Sequence, residues 1–419
     1  MANHNSVLVP IETWAYSSPS LRSTGNLIDI GLFAEALIYY DCVIVNPTNQ
    51  PQFSRFIQWF INQNRLDDFY ALLQEGNLKI YDYSFMTTVI EKEGSYFLCN
   101  IQDQTQAKEN TFEQRFLYHP EIGGLFLKQR HRRKLYRALR ENVIEVKSEE
   151  FSNAIENARE DYKDPRRNSV VLQSFVDELY KYQKLGHPPK VDAKVTPSSD
   201  GSRHHITWNI DFNALSQLAG KEVNFHKGTP LTASAHSNRL IWSAANLESD
   251  LFLPTPMSKL VGDKLYESTQ RISKSGKIIE DLKVEVEFPD IRNLVNSGKM
   301  NLDDLLKIRK KAKKFRTWLQ QESDRDRNAI IAYHNEVARE SGIKTGARKA
   351  MNIFGILGGG AVGSVTGSLI AGPVGGGLGG VAGGAVAYLA DITSKIGANW
   401  RPVVFGEWLR KRIEDVVGE

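Results

Sequence analysis

Hydrophobic residues in the first 80 positions fall alternately at helical and at strand spacing. Residues 26–40 carry apolar side chains close to a helical period, which predicts a mostly buried helix. The β-branched run at 42–45 is closed by Asn46 and Pro47 and predicts a buried strand. Pro51 then opens an amphipathic helix whose apolar positions recur at intervals of three and four: Phe53, Phe56, Ile57, Phe60 and Ile61.

The same patterns continue into the middle of the chain. Residues 66–74 predict a short helix that ends at Gly76, and residues 78–81 and 95–99 predict strands. Highly charged helical sequence follows from about residue 110 to 190. The segments 191–195 and 205–210 alternate apolar with polar residues around a Pro-, Ser- and Gly-containing turn, which predicts a β-hairpin.

The last quarter of the chain differs in kind. Residues 301–322 form an amphipathic pattern with apolar positions spaced by three and four, at Leu305, Ile308, Ala312, Phe315 and Leu319. This heptad-like seam indicates a helix that packs against another helix. A polar stretch leads from there to a segment, residues 350–390, that contains no Asp, Glu, Lys or Arg.

Small residues recur every fourth position within this charge-free segment: Gly355, Gly359, Gly363, Gly367, Ala371, Gly375, Gly379 and Gly383. On a helix, residues four apart share one face, so the register predicts a smooth groove for close backbone packing. The motif resembles the glycine zipper of membrane-inserting proteins. That resemblance covers residues 351–390 only and implies helices packed through small residues in a membrane.

Length and flanking charge fit a helical hairpin in a membrane. Residues 351–372 are long enough to cross about 30 Å of hydrocarbon at 1.5 Å per residue, residues 374–390 are at the short limit, and Pro373 marks the turn between them. Basic residues flank both ends, so both ends are expected to face the cytosol. A soluble, glycine-packed helical hairpin with a purely structural role is the alternative.

Charge adds two basic clusters to this picture. The first lies just before the glycine-rich segment and predicts attraction to anionic headgroups, through Lys307, Arg309, Lys310, Lys311, Lys313, Lys314 and Arg316. A solvated helix face is the alternative. The second cluster, between Lys128 and Arg140, is interpreted as a solvated face or a face for an acidic partner, with phosphate or nucleic-acid binding as the weaker interpretation.

Composition narrows the function classes. A net charge of +4 over 419 residues argues against a dedicated nucleic-acid binder, and 41% hydrophobic residues provide a sizeable core. Cys42 and Cys99 are expected to be buried thiols of a reducing compartment. The N-terminal residues lack a secretory pattern, so we expect a cytoplasmic protein that associates with or inserts into a membrane.

Chemistry-bearing motifs are scarce. We find no nucleophile elbow, phosphate loop or zincin motif, and His204 and His205 would point to opposite faces of a strand. No catalytic residue, metal site or cofactor is therefore predicted. An enzyme with an unrecognised site, for instance one using Cys99 and His119, is the third-ranked function.

The expected fold class is α+β: a mixed helix and strand N-terminal region followed by an all-helical C-terminal module with a glycine-zipper hairpin. The expected function is a membrane-acting effector that oligomerises to perturb or perforate a membrane, in a toxin or defence setting, with lipids, copies of itself and an unknown trigger as partners. The alternative is a soluble or peripheral interaction protein. The expected segments are a sensing or regulatory region at 1–190, a hairpin and helices continuous with it at 191–290, a basic amphipathic segment at 291–349, the hairpin at 350–390 and an amphipathic tail at 391–419.

Overall fold

The computed structural model describes residues 6–11, 28–47, 50–83, 86–92, 95–101, 129–146, 152–199, 203–220, 225–247, 249–252, 291–313 and 316. The glycine-rich segment and the C-terminal tail lie outside these residues. The described strands are β1 (Ser6–Pro10), β2 (Cys42–Asn46), β3 (Leu78–Tyr83), β4 (Met86–Lys92), β5 (Ser95–Ile101), β6 (Val143–Val146), β7 (Ala193–Pro197), β8 (His204–Trp208) and β9 (Asp250–Leu251).

Ten helices lie within the described residues. They are α1 (Ile30–Tyr39), α2 (Gln50–Asn62), α3 (Leu66–Gln74), α4 (Gln129–Leu139), α5 (Ser152–Lys163), α6 (Pro165–Tyr182), α7 (Phe212–Ala219), α8 (Gly228–Asn246), α9 (Ile291–Asn296) and α10 (Leu302–Lys311).

Five parallel strands form the main sheet, in the order β6-β3-β2-β1-β9. The central strands are buried on both sides: Val7 and Val9 belong to one apolar cluster, and Leu8 between them belongs to the other. Continuous β-branched runs such as that of β2 are typical of strands covered on both faces. The chain crosses from strand to strand through helices, as parallel pairing requires.

One face of this sheet is covered by α1, α2, α3, α4, α9 and α10, whose buried side chains form the first core cluster. The other face is covered by α6, α7 and α8, which contribute to the second cluster. An aromatic group centred on Phe56 and Phe60 fills the first core, with their rings 5.5 Å apart and nearly perpendicular. Edge-to-face contacts of this kind place the positive edge of one ring on the negative face of the next.

A second sheet is antiparallel, in the order β4-β5-β8-β7. Strands β7 and β8 form the hairpin that the sequence predicts, with Val195 opposite Ile206 and Ala193 opposite Trp208. The segment after residue 190 therefore joins both sheets, since β9 pairs with β1 and β8 pairs with β5.

Several other sequence predictions are confirmed. Helix α2 carries the predicted apolar stripe inward, and the helix after it ends where Gly76 adopts a positive φ of 70°, a conformation that favours glycine. Cys42 is buried. The mixed helix and strand content of the N-terminal region is also confirmed, although the parallel order of its main sheet was not predicted.

Candidate functional site

The predicted headgroup-binding residues lie on the arm, by which we mean residues 291–313 and 316. The apolar side of the arm is part of the first core cluster, through Ile291, Val295, Met300, Leu302, Leu305, Ile308 and Ala312. The segment expected to stand apart from the N-terminal region therefore packs into it. Burying the six larger side chains stabilises this attachment by on the order of 10 kcal/mol.

Helix α9 is held at the start of α1. The carboxylate of Asp29, which also caps α1 by accepting from Leu32 N at 3.0 Å, accepts from Arg292 Nε at 2.8 Å and from Asn296 Nδ2 at 2.7 Å. The amide oxygen of Asn296 accepts from Gly31 N at 2.8 Å. A Cβ at position 31 would overlap the backbone carbonyl of Arg292, so glycine is what allows α9 to approach this closely.

Arg309 of α10 is buried at the other end of α1. Its guanidinium donates to the carbonyls of Leu37, of Tyr40 at 2.7 Å and of Asp41 at 2.8 Å, and to the side-chain oxygen of Asn77. The last carbonyls of a helix have no partner within the helix. Arg309 supplies donors to them from a residue 272 positions later in the chain.

Arg316 extends the same contact. It donates to the carbonyl of Ile38 at 3.1 Å, to that of Arg309 at 2.9 Å and, through Nε, to the carboxylate of Asp41 at 3.0 Å. Burial, and secondarily the charge of Arg316, lower the pKa of Arg309 to about 10. Arg309 therefore stays protonated at neutral pH, and the oxygen atoms around it compensate for its desolvation.

These positions correct the sequence interpretation for two residues. Arg309 and Arg316 were predicted to contact headgroups, but they are 8% and 7% exposed and their guanidiniums bind protein oxygens. The run of basic residues in the sequence placed them in one cluster with the lysines. On the helix they lie on the side that faces α1.

The lysines of the arm lie on its outer side. Lys307, Lys310, Lys311 and Lys313 are exposed, and Lys307 forms an ion pair of 2.6 Å with Asp303. Lys314 lies outside the described residues. Headgroup binding therefore stays a prediction for the lysines alone.

The glycine positions 355–383 and the predicted turn at Pro373 also lie outside the described residues. Among the helices that are described, none combines the length and the apolar character needed to span a membrane. The membrane segment therefore stays a sequence prediction.

A second buried polar cluster joins α5, α6 and α8. The carboxylate of Asp161, 1% exposed, pairs with Arg167 at 2.5 Å and accepts from Asn238 Nδ2 at 2.7 Å and Ser234 Oγ at 3.4 Å. Asn168 donates to the carbonyls of Tyr162 and Asp164 at the α5–α6 junction. The ion pair and these hydrogen bonds link the three helices through buried polar groups.

The described residues also contain no candidate metal site. Within the described residues, no group of three or more His, Cys, Asp or Glu side chains could hold a metal ion. On β8, His205 is exposed, whereas His204 is partly buried and has a lowered pKa because of desolvation and nearby Lys163. His119 and the side chain of Cys99 lie outside the part of the chain that the structure describes, so a site using these two residues stays a prediction.

Comparisons with protein-family models, with curated proteins and with solved structures find no match to this chain.

Proposed function

We propose that this protein is a membrane-acting effector whose glycine-rich hairpin inserts and oligomerises to perturb or perforate a membrane. In this proposal the α/β domain senses a trigger and regulates insertion, as in a toxin or defence system. The observation that carries it is the four-residue register of small residues, from Gly355 to Gly383, within a segment free of Asp, Glu, Lys and Arg.

The composition of the segment favours an assembly over a lone anchor. It holds 14 glycines between residues 351 and 390, and glycine costs about 1 kcal/mol relative to alanine in a helix. Weak hydrophobicity makes insertion of a single copy marginal. In lipid, however, the backbone must satisfy its own hydrogen bonds, and small residues allow helices to pack closely.

The arm supports the proposal by its position. It ends 34 residues before residue 350, it is part of the core of the α/β domain, and its outer side carries exposed lysines. A domain attached in this way would hold the hairpin beside an anionic surface. Each basic residue near such a surface contributes about 1 kcal/mol of attraction.

Membrane extraction tests whether the segment inserts. The full chain and a variant lacking residues 350–390 are expressed, and their membranes are washed with alkaline carbonate. We expect only the full chain to resist extraction. If the wash extracts both chains into the soluble fraction, a soluble hairpin with a structural role becomes the better description of residues 350–390.

Leakage of dye from liposomes tests the role of the register. Replacing Gly359, Gly363 and Gly367 together by Leu should abolish leakage, because branched side chains block close backbone approach. The matched control replaces Gly358, Gly360 and Gly376 by Leu. These glycines lie outside the register, so this variant should keep most of the leakage activity. Equal leakage from both triple variants would remove the basis for the register argument.

A further inference from the structure

The two basic clusters of the sequence lie on the same side of the main sheet. Leu135 and Leu139 of α4 and Leu305 and Ile308 of α10 all belong to the core cluster that covers this side. Each helix buries its apolar stripe there, and apart from the buried Arg309 its exposed basic residues lie on the outer side. Arg133, Arg137 and Arg140 are exposed on or just after α4, as are Lys310 and Lys311 on α10.

Helix α3 lies between the two basic helices. On one side, Lys134 of α4 sits over the ring of Tyr70 with Nζ 5.1 Å from its centre. On the other side, α10 begins where Leu302 N donates to Gln63 Oε1 at 2.8 Å, and near its end Arg309 binds Asn77. Residues 63 and 77 lie three positions before and three positions after α3, so α10 runs alongside it in the same direction.

Both basic helices end at the same edge of the sheet, by which we mean the side formed by the N-terminal ends of the parallel strands. Arg309 contacts the residues just before β2 and β3, and α4 leads directly into β6, where Asn142 O accepts from Ile80 N at 2.8 Å. This is the edge at which the parallel strands begin. Arg137, Arg140, Lys310 and Lys311 therefore lie at a common edge, together with the exposed acids Glu75 and Glu141.

The cations of these helices have few acidic neighbours. Residues 129–140 contain no Asp or Glu, and neither do residues 305–316. Within the described part of the chain, Arg133, Arg137, Arg140, Lys310 and Lys311 form no ion pair. Helix α5 on the opposite side differs, since its exposed Arg159 and Lys163 pair with Glu156 and Glu160 three positions earlier.

We infer that α4 and α10 together form one docking surface for an anionic lipid membrane, which we call the two-helix basic surface. The inference rests on the proposed membrane function and gives the orientation of the domain: the edge where the strands begin faces the lipid. Attraction to headgroups falls off within about 8 Å at physiological salt, so both helices contribute only if this edge is turned toward the membrane.

A membrane fits this surface better than nucleic acid does. The surface spans two helices separated by a third, and α4 offers only the half-buried Tyr136 as an interleaved aromatic for stacking on bases. The chain also continues from the arm toward its charge-free segment. An extended plane of negative charge is complementary to such a surface, and it needs no base readout.

The test uses the full chain and measures salt-reversible sedimentation with phosphatidylserine-containing vesicles. Replacing Arg133, Arg137 and Arg140 by Gln should weaken binding roughly 100-fold, and replacing Lys310 and Lys311 by Gln roughly 25-fold, at about fivefold per cation. The matched control replaces Lys181, Lys184 and Lys194 by Gln. These lysines are exposed in α6, just after α6 and in β7, and their replacement should leave binding within about twofold. Thermal unfolding of every variant checks that the fold is intact, and Arg137→Lys should retain binding.

Three results would overturn the inference: loss of binding from the α10 variant alone, equal loss from all three variants, or tight binding to duplex nucleic acid with none to the vesicles. Its failure is distinguishable from failure of the proposed function. Salt-reversible binding reports on the two-helix basic surface, whereas carbonate-resistant association and dye leakage report on the glycine-rich segment.

Discussion

Arg309 has a role that its sequence neighbourhood conceals. It stands in a run of cations, and a guanidinium in such a run is ordinarily solvated. In the fold it provides hydrogen bonds to carbonyls of residues 37, 40 and 41, about 270 positions away. No periodicity in the sequence marks the partners of one long-range side chain, so this contact could not be predicted.

Replacing Arg309 by Met should lower the free energy of unfolding by about 3–5 kcal/mol, because several buried carbonyls lose their donor at once. Urea unfolding followed by circular dichroism measures the change. Lys310→Met is the matched control, since Lys310 is exposed, and it should change stability by less than about 0.5 kcal/mol. Equal effects of the two substitutions would contradict the capping role of Arg309.

Cys42 should be a poorly reactive thiol. It is 4% exposed, and burial raises its pKa, so at pH 7 to 8 it has less thiolate than a free cysteine. In a Cys99→Ser background, we expect alkylation of the folded protein by iodoacetamide to be at least tenfold slower than alkylation in urea. A rate in the folded protein close to that in urea would show that the thiol is accessible.

At the scale of elements, the hydrophobic pattern of the sequence predicted those helices, helix ends and hairpins that depend on residues close together in the chain. The stripe from Phe53 to Ile61, the end of α3 at Gly76 and the hairpin of β7 and β8 all follow from residues within one element or turn. The order of the parallel sheet does not, because β9 joins β1 through contacts some 240 residues apart and has only two residues. The seam of α10 was predicted, but its partner was not.

The Asp161 cluster should be essential to the packing of α8. Asp161→Ala removes the acceptor for Arg167 and Asn238 from a buried position, which should cost about 3–5 kcal/mol in the free energy of unfolding. Asp192→Ala is the control, because the Asp192–Lys190 pair is exposed, at 64% and 83% of the two side chains, and should contribute about 0–1 kcal/mol. Denaturant titration of both variants decides the matter, and similar midpoints would contradict the structural role of Asp161.

For the molecule as a whole, the arm extends the folded domain beyond residue 290. The sequence analysis began a separate basic segment at residue 291, and six large apolar side chains of that segment belong to the main core. Their burial contributes on the order of 10 kcal/mol before the entropy cost of ordering the arm, against a net stability of roughly 5–15 kcal/mol for a whole domain. We therefore expect the domain to need the arm in order to fold.

A chain ending at residue 290 should be insoluble or lack a cooperative thermal transition, whereas a chain ending at residue 349 should keep one. The two truncations differ in the arm and the polar stretch that follows it, and neither includes the glycine-rich segment. Calorimetry and size-exclusion chromatography measure the outcome. A monomeric, cooperatively unfolding chain that ends at 290 would show that the arm is dispensable.

The contact between Arg316 and the turn that joins α1 to β2 also has a mechanical consequence. Arg316 donates hydrogen bonds to the carbonyl of Ile38 and the carboxylate of Asp41, which lie just before the middle strand of the five-stranded sheet. A pulling force on the chain after Arg316 therefore acts next to the central strand of the sheet and not on a peripheral loop. If the downstream segment is drawn into a bilayer, we expect the force to act on the turn between α1 and β2 and to pull the folded domain toward the membrane.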